Sequence, residues 1–198
     1  MISRPVQITI FLLLAGVLAG GIYMNRLKQR EDLREQVRAS GAPLAPPVAG
    51  PEENVQLMIA YDDDGVLKTE RTKLALSHEP GARARQVLRQ LLGEYSQKPS
   101  PHPLAEGAGV KDVFMLADGL CVVDLNAAFA EGHRSGVMVE EMTIASMVES
   151  LAMNVPEIKR VKFLVEGKER ETLAGHADLG MTYDVSAVHQ LVAGLQTQ

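Results

Sequence analysis

The sequence predicts an α+β fold: a mixed or mostly antiparallel sheet covered by helices, in the order β-β-α-β-β-α-β-β with a terminal helix. Three observations predict it. Short runs in which apolar and polar residues alternate come in pairs, each joined by a turn built on Asp-Gly or Glu-Gly. Two longer segments, beginning near Pro80 and Val137, carry apolar residues at helical spacing. No G-x-G-x-x-G follows a strand and no P-loop is present, which excludes a dinucleotide fold.

From Val55 the elements follow in order. "VQLMIAYDDDGVLKTERTKLAL" gives strands at 55–61 and 66–76 around an Asp-Asp-Asp-Gly turn, in which Gly65 supplies the positive φ of a tight reversal. Pro80 stands where a helix begins. Ala84, Val87, Leu88, Leu91, Leu92 and Tyr95 then mark its buried stripe, with Arg83, Arg85 and Arg89 off it. Residues 96–109 hold three prolines and read as an irregular loop. "KDVFMLADGLCVVDL" is a hairpin, and Asp118-Gly119 suits a type I′ turn. Val137 to Asn154 is the second helix. Its Val137, Ile144, Met147, Val148 and Leu151 share a face, Glu140, Glu141 and Glu149 are mostly turned away, and Pro156 closes it. In the strand at 158–166, Val161, Phe163 and Val165 alternate with Lys162 and Glu166. Glu166-Gly167-Lys168 turns into a polar second strand heading for Leu173. Val185, Val188, Leu191, Val192 and Leu195 predict the terminal helix.

The N-terminal third differs in character. Val6 to Met24 contains no charged residue over 19 positions, long enough as a helix to cross roughly 30 Å of hydrocarbon. A cleaved signal peptide with a small-residue site at Val17-Leu18-Ala19 is the alternative, but the apolar run continues past that site, which favours a retained anchor. "LAGG" at 18–21 resembles a lipoprotein box without its cysteine, so no lipid attaches there. The expected domains are an anchor over 1–25, a charged segment and Pro/Gly-rich linker over 26–54 with four prolines between 40 and 54, and a globular domain over 55–198. Arg26, Lys28, Arg30, Arg34 and Arg38 follow the apolar run, and the positive-inside rule would place the rest of the chain in the cytoplasm.

Composition narrows the function. A formal charge of −5 argues against nucleic acid as a partner. Cys121 is the one cysteine, so no intramolecular disulfide or cysteine-based zinc cluster forms. Hydrophobic residues make up 46% of the chain but aromatics only 4%, with no Trp, which supplies a core but disfavours stacking on sugars.

Residues from about 55 to 180 resemble the GerMN domain, the sporulation and spore-germination module. The resemblance rests on "VDLNAAF" after the Asp-Gly hairpin, on "TIASMVESLAMNVPEIKRVKFLVEGK", and on the closing "ETLAGHADL", where Ala174-Gly175-His176 stands for the usual Gly-Gly-His. It implies an envelope-facing accessory module without chemistry of its own, similar to ring-building modules that self-associate or dock onto partners. It also implies a single-pass protein of the inner membrane whose C-terminal domain is extracytoplasmic or periplasmic. That expectation is preferred here to the charge bias beyond the apolar run.

Asp62-Asp63-Asp64 reads as a solvated turn, because a calcium loop needs acidic residues at alternate positions and Val66, Leu67 and Lys68 follow instead. The histidines, His78, His102, His133, His176 and His189, include no pair at i+3 or i+4, so no metal or cofactor is assigned. Ser135 and Ser146 lie in no nucleophile elbow, and Cys121 reads as a core thiol. His176 is expected to hydrogen-bond backbone groups. Asp124, on the face opposite Cys121, Val123 and Leu125, is expected to cap the turn at Asn126-Ala127. Asp118, Gly119, Asp124, Gly167, Gly175 and His176 are the structural and family-motif candidates. Arg83, Arg85, Arg89 and Lys98 are the candidate interaction surface. The expected function is a membrane-anchored, non-catalytic envelope module contacting a protein partner, a second copy or peptidoglycan. The alternatives are a metal-dependent hydrolase using loop aspartates and His176, and a small-ligand or glycan-binding domain.

Overall fold

The structure is a computed structural model and describes residues 50–196. β1 (Glu52–Tyr61) and β2 (Val66–Ala75) form a two-stranded antiparallel sheet in unbroken register, from Glu52 opposite Ala75 to Tyr61 opposite Val66. The strand starts three residues before Val55, and Glu53 is held there by a bidentate pair with Arg83 (2.5 and 2.8 Å). α1 (Pro80–Ser96) opens on Glu79, whose side chain caps the N–H groups of Gly81 and Ala82, with proline in the first turn. The whole predicted stripe of this helix is buried.

A four-stranded sheet follows, ordered β3-β4-β5-β6 from β3 (Val110–Met115), β4 (Leu120–Leu125), β5 (Arg160–Val165) and β6 (Thr182–Asp184). β4 and β5 are parallel and the other pairs antiparallel. The parallel pair needs a long crossover, and α2 (Ala127–Glu131) and α3 (Val137–Asn154) provide it. α4 (Val185–Gln196) ends the fold. The mixed α+β class is as expected. Cys121, Val123 and Leu125 of β4 and Val161, Phe163 and Val165 of β5 point into the core, the face that alternation assigned.

α3 is the central element. Twelve of its 18 residues are buried, so polar side chains on it need partners inside the protein. Ser150 Oγ accepts the Met58 N–H at 2.9 Å, while Asn154 takes the Gln56 N–H at 3.1 Å and donates to the Gln56 carbonyl at 2.6 Å. Together with the Tyr95 hydroxyl, which accepts the Ala60 N–H at 2.9 Å, these groups complete the free edge of β1.

Several expectations are corrected. Glu140 and Glu149 face inward and are 0% and 3% exposed. No strand runs from Lys168 to Leu173. The last strand is β6, and 168–181 is a loop tied by isolated bridges at Val165–Lys168 and Thr172–Asp178. The two hairpin turns exchange character. At 117–119 only Gly119 has positive φ (78°), and its N–H donates to Leu116 O, as in a type I turn closed by a left-handed glycine. The type I′ turn lies instead at Glu166-Gly167, where both φ values are positive (52° and 71°). A Cβ on Gly119 would lie 2.7 Å from Glu157 O, so glycine is required there for space as well as conformation. The short helix α2 was not expected; Asn126 caps it by accepting the Phe129 N–H at 2.9 Å.

The placement in the inner membrane is also corrected. Among the described residues no helix is long and apolar enough to cross a membrane. The apolar run 6–24 on which that placement rested, and the linker residues 26–49, lie outside the described residues.

Candidate functional site: two carboxylate–histidine clusters

Glu140 stands one turn into α3, where an ionised carboxylate is favoured by the helix dipole. Its Oε2 accepts the N–H groups of Ala174, His176 and Ala177 at 2.9, 3.0 and 2.9 Å. Its Oε1 accepts the Gly136 N–H at 3.1 Å and faces His176 Nδ1 at 3.0 Å. Burial alone would raise its pKa. The bonds from Ala174, His176 and Ala177 outweigh that and hold it at about 2. One carboxylate thus fastens the loop after β5 to the start of α3.

His176 therefore bonds a side-chain carboxylate rather than backbone groups. Ser135 Oγ lies 3.4 Å from the same Nδ1. In a serine–histidine–acid triad the acid holds Nδ1 and the nucleophile addresses Nε2. Here hydroxyl and carboxylate crowd one nitrogen, so the imidazole cannot take a proton from Ser135 while Glu140 orients it.

The second cluster has the connectivity that the first lacks. His102 Nδ1 meets Asp62 Oδ1 at 2.6 Å and its Nε2 meets Thr143 Oγ1 at 2.7 Å. Yet His102 and Thr143 are both 0% exposed, and the Thr143 hydroxyl is also engaged by His133 Nε2 at 2.8 Å and by Val139 O at 2.9 Å. A hydroxyl has one proton to donate, and this one is enclosed by three protein partners that compete for it, out of reach of a substrate. Arg134 donates to Asp62 Oδ2 at 2.7 Å, and Tyr95 packs edge-on to His102. Burial lowers the pKa of His102 and of His133, against the pull of Asp62 and of the Arg134 carbonyl respectively. The first aspartate of the triple is thus no solvated turn residue but a clamp between the β1–β2 turn and the loops at 102 and 134.

The other sequence candidates are structural. Asp124 caps the far turn, its Oδ1 accepting the Gly167 N–H at 2.7 Å, and not Asn126-Ala127. Glu166 holds the N-terminus of α2 through Ala127 N–H at 2.8 Å and pairs with Lys111. Asp118 pairs with Arg160, and Gly175 takes φ 119° beside Ser135. Burial pushes the Cys121 thiol up to about 12, which makes it inert. Of the basic residues, Arg83 is bound to Glu53 and to Asn154 O, and Arg85 to Asp112; Arg89 and Lys98 are exposed. A cleft of about 320 Å³ between β1, the start of α1 and the end of α3 is lined by Asn54, Gln56, His78, Arg83 and Asn154 among others, and touches neither cluster. Among the described residues no group of three or more His, Cys, Asp or Glu is placed to hold a metal.

Sequence reasoning missed Glu140, Thr143 and the His102–His133 pairing. For Glu140 a signal existed. It sits three residues after Val137 and four before Ile144, on the apolar stripe, where a carboxylate must find partners. The histidine pair gave none, because His102 and His133 come from loops separated by a hairpin.

The model of the Germane family, described as sporulation and spore germination, matches residues 57–171. The chain belongs to the Germane family. Its match runs from the middle of β1 past the Glu166-Gly167 turn and includes Glu140 and the Asp62 cluster, while His176 lies beyond it. Among solved structures, this Germane chain is similar to the first GerMN domain of the sporulation protein GerM from Bacillus subtilis, at 18% identity, with 64% of this chain and 92% of that one covered and a TM-score of 0.47. It is similar as well to the tandem GerMN domains of the same protein (18% identity, 65% and 44% covered, TM-score 0.46). A Clostridium perfringens chain described as a candidate lipoprotein is another such structure (16% identity, 71% and 92% covered, TM-score 0.47). The chain spans less than half the length of the tandem GerM structure. No curated protein matches it.

Proposed function

We propose that this Germane chain is a non-catalytic interaction module that docks onto a partner protein or a second copy of itself. The observation that carries this reading is the use to which its chemistry-bearing residues are put. Glu140 is saturated by backbone N–H groups, His176 presents one nitrogen to both acid and hydroxyl, and Thr143 is fully buried among protein partners. A catalytic acid or base needs a titration poised near working pH and access to substrate, and a carboxylate held at about 2 is fixed as an anion. The surface offers material for contact instead: Val137, Met138 and Met181 are 56%, 50% and 48% exposed, beside the basic residues Arg89 and Lys98 elsewhere on the module.

The test is hydrolysis of ester, amide and glycoside substrates by the full chain and by His176→Ala, with thermal melting of both. The expected result is no turnover by either protein and a folded variant. Turnover by the native chain that His176→Ala abolishes without loss of folding would overturn the reading and favour a hydrolase.

A further inference from the structure

The two sheets have four outer edges among the described residues, and three are closed. β1 is completed by Asn154, Ser150 and Tyr95. β3 is short, carries a bulge between Val110 and Asp112, and has Arg85 of α1 bound to Asp112. β6 is only three residues long. Short strands, bulges and covering side chains are the usual defences of an edge. β2 is the least defended: the terminal helix α4 packs against it and lysines line it, but it runs ten residues without proline or bulge.

Its geometry is fixed by β1. Because Gln56, Met58 and Ala60 turn their N–H groups to the helices, the ladder to β2 is made by the alternate residues, and β2 presents the backbone of Leu67, Thr69, Arg71 and Lys73 outward. Among the described residues no strand pairs with that side. Lys68, Thr69, Glu70, Arg71 and Lys73 are exposed.

We propose that β2 is a docking edge whose occupant is the β2 strand of a second copy, paired antiparallel about a two-fold axis at Thr69. This deepens the interaction reading and rests on it. Lysines on an edge ordinarily deter pairing, but here the order Lys68-Thr69-Glu70 is its own complement. With Thr69 opposite itself, Lys68 of each copy faces Glu70 of the other, at the non-hydrogen-bonded positions where side chains come closest. Each pair forms by exchanging Lys68's exposed contact with Asp64 and Glu70's bond from the Tyr61 hydroxyl for a cross-strand partner. Moving the axis to Glu70 or to Arg71 would set like charges against each other. An isologous contact of this kind joins two two-stranded sheets into one of four strands.

The test is oxidative cross-linking of Thr69→Cys in the full chain with oxidised glutathione, against Arg89→Cys as an exposed control on α1. A hydrogen-bonded antiparallel pair places its Cα atoms about 5.5 Å apart, within disulfide range, and the native Cys121 is 0% exposed. The expected result is a disulfide-linked homodimer from Thr69→Cys well above the control. Adding Glu70→Lys should weaken association roughly tenfold or more, since two attractive cross-strand pairs become repulsive, and adding Lys68→Glu to that should restore it. Circular dichroism of each variant checks that the fold is kept. Cross-linking no greater than the control, attachment of the introduced thiol to a different protein, or failure of the charge exchange to restore the dimer would overturn the proposal. Those results leave the non-catalytic reading standing, which only turnover overturns.

Discussion

Glu140 and Asp62 are both carboxylates withdrawn from solvent with a histidine attached, and they organise the molecule by different means. Glu140 gathers backbone: four N–H groups from two loops converge on it, and His176 is a peripheral addition whose side chain is 41% exposed. Asp62 gathers side chains: its bonds go to the rings and guanidinium of His102 and Arg134, and through His102 to Thr143 and His133. Charge fixed by backbone donors is insensitive to pH until strong acid, whereas a network of buried imidazoles responds in the histidine range. One end of α3 is therefore a permanent anchor and its neighbour is a titratable one.

The largest effect should come from breaking the backbone hub. Glu140→Ala leaves the buried donor at Ala177 and the part-buried donors at Ala174 and His176 without their shared acceptor and should cost about 4 kcal/mol, read by urea denaturation, with loss of amide-exchange protection concentrated in 171–181. Acid should expose the same contrast in two stages. Glu140 has a folded pKa below its unfolded value, so its contribution is complete above about 4.5 and is lost as pH falls toward about 2. That limb should amount to roughly 3 kcal/mol and vanish in Glu140→Gln. His102 and His133 are held below the ordinary 6.5, so the unfolded chain binds protons first and stability should begin to fall as pH drops below about 6.5. This earlier limb should survive Glu140→Gln and disappear when both histidines are replaced.

Thr143→Val removes the hydroxyl between the two imidazoles at nearly constant volume. It should cost about 2 kcal/mol and shift the titration of both His102 and His133, read by NMR of their ring protons. The smallest effect belongs to His176. His176→Ala deletes one bond from a half-exposed ring while the backbone bonds to Glu140 persist, so less than about 1 kcal/mol is expected in thermal melts. An effect as large as that of Glu140→Ala would merge the two roles assigned here.

The difference between the clusters also shows what a single sequence can carry. Elements with strict period were legible: the stripe from Ala84 to Tyr95, the bounds of α3, and the inward face of β4 and β5. Turn chemistry was legible as a place but not as a type. Asp118-Gly119 and Glu166-Gly167 have the same residue pattern, and only the tertiary partners of Glu166 (Leu125, Ala127 and Lys111) explain why it holds positive φ there. The strand sought after Lys168 failed because Glu140 draws 174–177 into a loop, leaving Thr182–Asp184 to pair with β5. The polar networks were the least legible. Asp62 and Thr143 differ in no local respect from a turn aspartate and a helical threonine, and loops far apart in sequence give them their roles.

The central claim is that His176 sits on a carboxylate fixed as a structural anion. The most direct test is the titration of the Glu140 side-chain carbon by NMR in the full chain. A midpoint near 2, with the carboxylate ionised throughout the neutral range, is the predicted result. A midpoint between about 5 and 7, where a general acid or base is poised, would contradict the account and return His176 and Ser135 to the field of catalytic candidates.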